Sequence, residues 1–339
     1  MKNNEIRQNL ATKEWVIFAP ARRKRPEDFR RDDGNKEEIP GYDSSCPFCP
    51  GNEDKLTEIL LEVPSGNGDS WQTRVLPNKF PAVTLDVDVQ RYHKGKYLAM
   101  NAYGRHEVII ESAKHNDQMA LMSVEHVTTV IRTYQRRYHD LMSEHSNLMT
   151  FIIFRNHGRA AGTSLIHPHS QIIVTSVVPQ HIRKREEEAQ QYFDTWARCV
   201  YCDMLQFEKE EQRRVIDENR DFLAFVPFAA QAPFEIWVMP KNHAAAFGAI
   251  SQNKIESLAH ALQNILLRLF QKLNNPDYNY VINTAPRFKA DEPHLHWYLQ
   301  ILPRLTTRAG FEIGSGININ PSLPEADADF LNKEGEQSE

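Results

Sequence analysis

Apolar positions along the chain follow two periods, and the two alternate in the same order twice. Val127, Val130, Ile131, Tyr134, Tyr138 and Leu141 share one face at helical spacing, with Ser123 placed to cap the segment. Ile255, Leu258, Leu262, Ile265, Leu266, Leu269 and Leu273 repeat the pattern behind Ser251. A short apolar run precedes each predicted helix, and another follows it at 149–154 and 278–283; all four read as strands.

Polar landmarks keep the same registration. Glu107 lies eight residues before His115, and Glu235 eight before His243. Asn156 and Asn283 each stand 11 residues before a further histidine, His167 and His294, which open His167-Pro-His169 and His294-Leu-His296. The intervals from His115 to His167 and from His243 to His294 are 52 and 51 residues. Matched landmarks over such distances mark an internal repeat. The fold class expected is α+β: two tandem copies of one unit, each a mostly antiparallel sheet with one long helix, over residues 1–180 and 181–339. Residues 30–42 read as a polar loop, 181–191 as an exposed, charged helical connector, and the acidic tail from Pro324 as frayed.

The chain has 339 residues, 41% hydrophobic and 25% charged, enough for two units of ordinary size with sizeable cores. A formal charge of −5 argues against a general electrostatic grip on nucleic acid. No apolar run approaches the length that crosses a bilayer, and the N-terminus lacks the apolar core of a signal peptide, so the expected setting is cytoplasmic. All four cysteines sit in two CxxC pairs, Cys46/Cys49 and Cys199/Cys202. A redox pair is one reading of such a motif. The repeat favours another, since each copy can assemble Cys₂His₂: Cys46, Cys49, His115 and His167, then Cys199, Cys202, His243 and His294. Two thiolates and two imidazoles suit tetrahedral zinc in a closed, structural site, with iron an open alternative at the second.

The copies differ around the HxH. In the first, Asn156-His-Gly-Arg-Ala-Ala-Gly162-Thr-Ser164 is rich in small residues that let backbone amides approach a phosphate. His169 follows two residues beyond a proposed ligand, with one residue between, so it is rigidly presented as a nucleophile towards phosphorus. Gln171, on the same strand face, and Ser164 can donate to phosphate oxygens. The second copy has no glycine in its loop, and Trp297 and Tyr298 follow its HxH. It reads as degenerate, a copy that kept its metal and lost its chemistry, with His296 a structural or interface residue.

The motif His167-Pro-His169-Ser-Gln171, the repeat and the paired metal sets resemble the galactose-1-phosphate uridylyltransferase family of the histidine-triad superfamily, over nearly the whole chain. The resemblance implies ping-pong transfer. His169 would attack the α-phosphorus of a nucleotide sugar and release hexose 1-phosphate, and a second hexose 1-phosphate would take the nucleotidyl group. It further implies phosphate contacts from Arg22 and Arg25, a nucleoside-binding turn at Asn78 and Phe80, and hexose contacts from Phe311 and Glu312, supplied by the partner subunit of a homodimer. Glutamine at 171, where related hydrolases carry histidine, favours transfer. The leading expectation is uridylyl transfer between UDP-glucose and galactose 1-phosphate. Two-CxxC relatives include bacterial uridylyltransferases and a plant-type ADP-glucose phosphorylase, and Thr306 and Thr307 stand where some members carry Lys-Phe, which leaves base and hexose open, with adenylyl transfer the close alternative. A zinc protein that binds nucleotides without turnover, and a dinucleotide hydrolase, are the remaining readings.

Overall fold

The structure, a computed structural model, describes residues 4–19, 26–30, 39–66, 68 and 70–333. Arg22 and Arg25, with most of the 30–42 loop, lie outside the described residues. The first half runs β1 (Glu5–Gln8), β2 (Trp15–Phe18), β3 (Leu61–Pro64), β4 (Trp71–Pro77), β5 (Arg91–Lys94), β6 (Tyr97–Met100), β7 (Gly104–Ile110), α1 (Val124–Glu144), β8 (Thr150–His157) and β9 (His169–Thr175). Helices α2 (Gln180–Trp196) and α3 (Val200–Glu211) lead into the second half. There follow β10 (Val215–Glu218), β11 (Phe222–Phe225), β12 (Ile236–Pro240), α4 (Gln252–Leu273), β13 (Tyr278–Asn283), β14 (Tyr298–Pro303), α5 (Gly310–Ser315), β15 (Asn318–Asn320) and α6 (Pro324–Asn332).

Ten of these strands make one sheet, in the order β3-β4-β7-β9-β8-β13-β14-β12-β11-β10, antiparallel at every pairing. Read outward from the β8–β13 seam, the two halves have the same strand order, so the repeat seen in the sequence becomes a pseudo-twofold sheet. Each copy is the expected α+β unit, but the two share a single sheet rather than standing apart. At the seam Asn156 faces Asn279 directly, and Phe154 faces Val281.

Strand alternation sorts the sheet's faces. Ile109, Phe151, Ile153, Ile172 and Val174 from the first copy, with Val238, Tyr280, Ile282, Leu299 and Ile301 from the second, form one core with the apolar faces of α1 and α4. Every helical position picked out by periodicity is buried there. Ser123 caps α1 by accepting from the His126 amide at 3.2 Å. Ser251 occupies the matching position before α4 but does not cap it, because its hydroxyl turns to Asn253 Oδ1 at 2.6 Å. His169 and Gln171 alternate with the core residues Ser170 and Ile172, so they project from the opposite face.

Polar groups cross the core at the seam. Glu111, fully buried just past β7, accepts from Arg155 Nε at 2.8 Å and from the hydroxyls of Tyr134 and Ser170, while Arg155 Nη1 donates to Tyr278 at 2.9 Å. The pair keeps Arg155 charged by holding its pKa far above the ordinary range, against the opposing cost of burial. The C-terminal segment returns to the start of the chain, with β15 pairing parallel to β2. The tail expected to fray from Pro324 instead forms α6 as far as Asn332, because Ala328 and Leu331 bury one face and Pro324 suits its first turn.

Removing one partner of a buried ion pair strands the other charge. Arg155→Met is therefore expected to lower stability by about 3–5 kcal/mol, read from urea unfolding at unchanged metal content.

Candidate active site and metal centres

The strand β9 starts where a metal-suited cluster ends. Cys46, Cys49, His115 and His167 are all buried and bring their ligand atoms within 4.8 Å of one another. His167 Nδ1 lies 3.7 Å from Cys46 Sγ and 3.6 Å from Cys49 Sγ, and His115 Nδ1 lies 3.5 Å from Cys49 Sγ. Tetrahedral zinc with ordinary bond lengths separates a sulfur ligand from a nitrogen ligand by about 3.5 Å, so the donor set and its spacing fit that ion. His167 Nε2 donates to the Ser112 carbonyl at 2.8 Å, which leaves Nδ1 unprotonated towards the thiols.

The second copy repeats the arrangement with one correction. Cys199, Cys202, His243 and His296 form the cluster, with Cys202 Sγ 3.4 Å from Nδ1 of both His243 and His296. His296 Nε2 donates to the Pro240 carbonyl at 3.0 Å, just as His167 does to Ser112, three residues before the other ligand histidine in each case. His294, expected as the fourth ligand, is not in the cluster. Its Nδ1 approaches Glu292 at 3.6 Å, and only its carbonyl faces Cys199, accepting from Sγ at 3.6 Å. The intervals 115→167 and 243→296 are thus 52 and 53 residues. In this register His296-Trp-Tyr298-Leu-Gln300 matches His167-Pro-His169-Ser-Gln171, with the same burial residue by residue. Tyr298 holds the place of His169, and Gln300, not Tyr298, holds that of Gln171. The reading of His296 as a mere structural or interface residue falls with the same correction.

His169 Nδ1 donates to the His167 carbonyl at 2.8 Å, so the lone pair sits on Nε2. Burial holds its pKa below the usual imidazole range, which favours the neutral, nucleophilic ring. Phe48 meets it edge to face at 5.6 Å. Two cavities meet at this ring, sharing Ser164 and Leu165. One, of about 510 Å³, is lined by Phe48, Leu56, Asn78, Phe80, Val108 and Gln171; the other, of about 300 Å³, by Arg155, Asn156, Gly158, Arg159 and Asp277. Gln171 Oε1 accepts from His106 Nε2 at 2.7 Å. Asn156 Oδ1 accepts from Asn279 Nδ2 at 2.8 Å.

The 158–162 loop owes its shape to backbone geometry. Gly158 has φ +83°, and a Cβ there would lie 2.0 Å from Asp277 Oδ1, whose carboxylate accepts from the Ala160 amide at 2.6 Å. Gly162, at φ +88°, ends the short turn that follows and lines neither cavity. Phe311 and Glu312 lie on exposed α5 and border neither cavity. His106, Asn279, Asp277 and the Glu111–Arg155 pair escape sequence reasoning, because their partners come from other strands and only the pairing register joins them.

An imidazole held by its neighbouring carbonyl, beside side-chain amides and a metal-suited cluster, suits nucleotidyl transfer. The descriptions "Galactose-1-phosphate uridyl transferase, N-terminal domain" and "C-terminal domain" match residues 1–179 and 184–334, and the chain belongs to that family. It is 36% identical over 327 residues to an ADP-glucose phosphorylase from Arabidopsis thaliana, covering 95% of this chain and 90% of that one. It is 27% identical over 331 residues to a galactose-1-phosphate uridylyltransferase from Thermotoga maritima, covering 95% of each. A solved Arabidopsis thaliana ADP-glucose phosphorylase with bound ADP-glucose superposes with a TM-score of 0.84 at 33% identity, over 99% of this chain and 100% of that one. A solved uridylyltransferase gives 0.74 at 25%, over 97% of each chain. No helix of the described residues is long and apolar enough to cross a membrane.

The ligand assignment has a direct check. Metal analysis of His294→Ala should return two equivalents per chain, and of His296→Ala one, read by elemental mass spectrometry after gel filtration. The first cluster is buried whereas His243 is exposed, so a chelator is expected to draw metal from the second cluster first. Retained metal after chelation should depend on Cys49 and not on Cys202.

Proposed function

We propose that this protein transfers a nucleoside monophosphate through His169, from UDP-glucose to galactose 1-phosphate. The observation that carries the reading is the free Nε2 of His169 at the meeting point of two cavities. The nucleoside occupies the larger, against Leu56, Asn78 and Phe80. The sugar phosphate lies in the smaller, beside Asn156, Arg159 and Ser164. Attack by Nε2 on the α-phosphorus forms the N–P bond as the bond to the bridging oxygen breaks, and glucose 1-phosphate leaves with that oxygen. The ring then carries positive charge, and its Nδ1–H stays in place, strengthening its bond to the His167 carbonyl. A phosphate oxygen of the incoming galactose 1-phosphate attacks phosphorus and restores the neutral imidazole. Amide hydrogens of Gln171 and the Ser164 hydroxyl meet the charge on the phosphoryl oxygens.

The metals are zinc in this reading, held by Cys46, Cys49, His115 and His167 and by Cys199, Cys202, His243 and His296. Zinc supplies no reaction step; it stiffens the loop that presents His169. Residues 1–180 carry the chemistry and 181–339 act as its support. Arg22 and Arg25 bind phosphate. The protein works in the cytoplasm as a homodimer in which Phe311 and Glu312 reach the partner's hexose site, a role supported by the exposure of Phe311 on α5 and by neither residue lining the cavities of its own chain. A second reading, adenylyl transfer with ADP-glucose cleaved by phosphate, is favoured by the 36% identity to the plant phosphorylase.

Intact-protein mass after mixing with UDP-glucose or ADP-glucose, without acceptor, tests both. A UMP adduct that is absent in His169→Gly is the expected result. An AMP adduct instead would move the assignment to the phosphorylase, and no adduct from either would overturn covalent transfer.

A further inference from the structure

A side-chain amide serves a phosphate only if its NH₂ end, not its oxygen, faces the anion. We propose that His106 and Asn279 are positioning residues that set this direction for Gln171 and Asn156, one from each copy of the repeat. The inference rests on the transfer reading above and adds two residues to it.

Each assignment starts from a backbone group whose role is unambiguous. The Ala82 amide donates to His106 Nδ1 at 3.2 Å. In the neutral ring the proton therefore sits on Nε2, and burial keeps the ring neutral by lowering its pKa. His106 Nε2 lies 2.7 Å from the Gln171 side chain, and Asn78 Nδ2, whose own Oδ1 accepts from the Phe80 amide, lies 3.5 Å from the same atom and 3.1 Å from His106 Nε2, so the atom that both meet is an acceptor, Oε1. The Gln171 NH₂ is thereby left for the cavity it lines with His169. At the seam the Ala161 carbonyl accepts from Asn279 Nδ2 at 2.8 Å, so that end of Asn279 is the donor. The same NH₂ donates to Asn156 at 2.8 Å, which makes the contact atom there Oδ1 and turns the Asn156 NH₂ away from it, on the residue that lines the smaller cavity.

Strand pairing makes both contacts inevitable. Val108 faces Gln171 across β7 and β9, and His106 faces Ile173, so His106 and Gln171 are diagonal neighbours on one face. Asn279 faces Asn156 directly. The second copy thus takes part in the chemistry it no longer performs. It fixes the polarity of an amide in the first.

The test uses two near-isosteric substitutions. Gln at position 106 can place a donor against Gln171 Oε1, whereas Glu places an acceptor there and turns the Gln171 amide round. In single turnovers with the nucleotide sugar that labels the wild type, adduct formation should be about 100-fold faster in H106Q than in H106E, the usual effect of losing one oriented donor. In a Gln171→Ala background the two should react at the same rate, because no amide remains to turn. Asn279→Asp, tested the same way against a background of Asn156→Ala, should lose its effect likewise. Equal rates for H106Q and H106E with Gln171 present, at matched metal content and melting temperature, would overturn the orienting role. So would a difference that persists in Gln171→Ala, since that is what a purely structural effect gives. Absence of any adduct in the wild type would remove the transfer reading, and this inference with it.

Discussion

The site hangs on one residue used in two directions. His167 offers Nδ1 to the cluster of Cys46, Cys49 and His115 while its Nε2 is tied to the Ser112 carbonyl, so the ring cannot turn. Its own carbonyl then accepts from His169 Nδ1 at 2.8 Å, choosing the tautomer that leaves Nε2 free. Proline between the two histidines restricts the backbone that joins the cluster to His169. Metal-suited chemistry and phosphorus-suited chemistry are therefore separated by one residue, and the first sets the geometry of the second.

The second copy shows how a duplicated unit can diverge at one position and still support the other half. Tyr298 fills the position of His169, and Arg185 of α2 donates to Tyr298 Oη at 3.0 Å and to Asn283 Oδ1 at 2.7 Å. Yet β13 pairs with β8 along the seam and sends Asp277 under the glycine loop, Asn279 to Asn156, and Tyr278 to Arg155. Losing this half would leave β8 as an exposed edge and the loop without its floor.

Much of this was legible in the sequence, because spacing and period report directly on local structure. The repeat, both long helices, the clustering of Cys46, Cys49, His115 and His167 and the place of His169 beside it follow from residues that act within their own segment or recur in both copies. The fourth ligand of the second set did not follow. Aligning the copies on the HxH spacing pointed to His294, whereas counting back four residues from the glutamines, Gln171 and Gln300, leads to His167 and His296. Two extra residues in the connecting loop, 13 from Asn283 to His296 against 11 from Asn156 to His167, shifted the motif, and a glutamine four positions on was the better landmark. His106 and Asn279 had no such landmark. Their partners are 65 and 123 residues away in the chain, and only strand register brings them together. The C-terminal helix was missed because its acidic composition hid two apolar positions three residues apart.

Transfer through His169 is tested most directly by the chemical identity of the labelled atom. Protein carrying the nucleotidyl group is digested, the modified peptide located by mass, and the phosphoramidate isomer identified by ³¹P NMR. A single labelled site is expected, His169, with phosphorus on Nε2, because Nδ1 is committed to the His167 carbonyl. Phosphorus on Nδ1, or on any other residue such as Ser164 or His157, would contradict it.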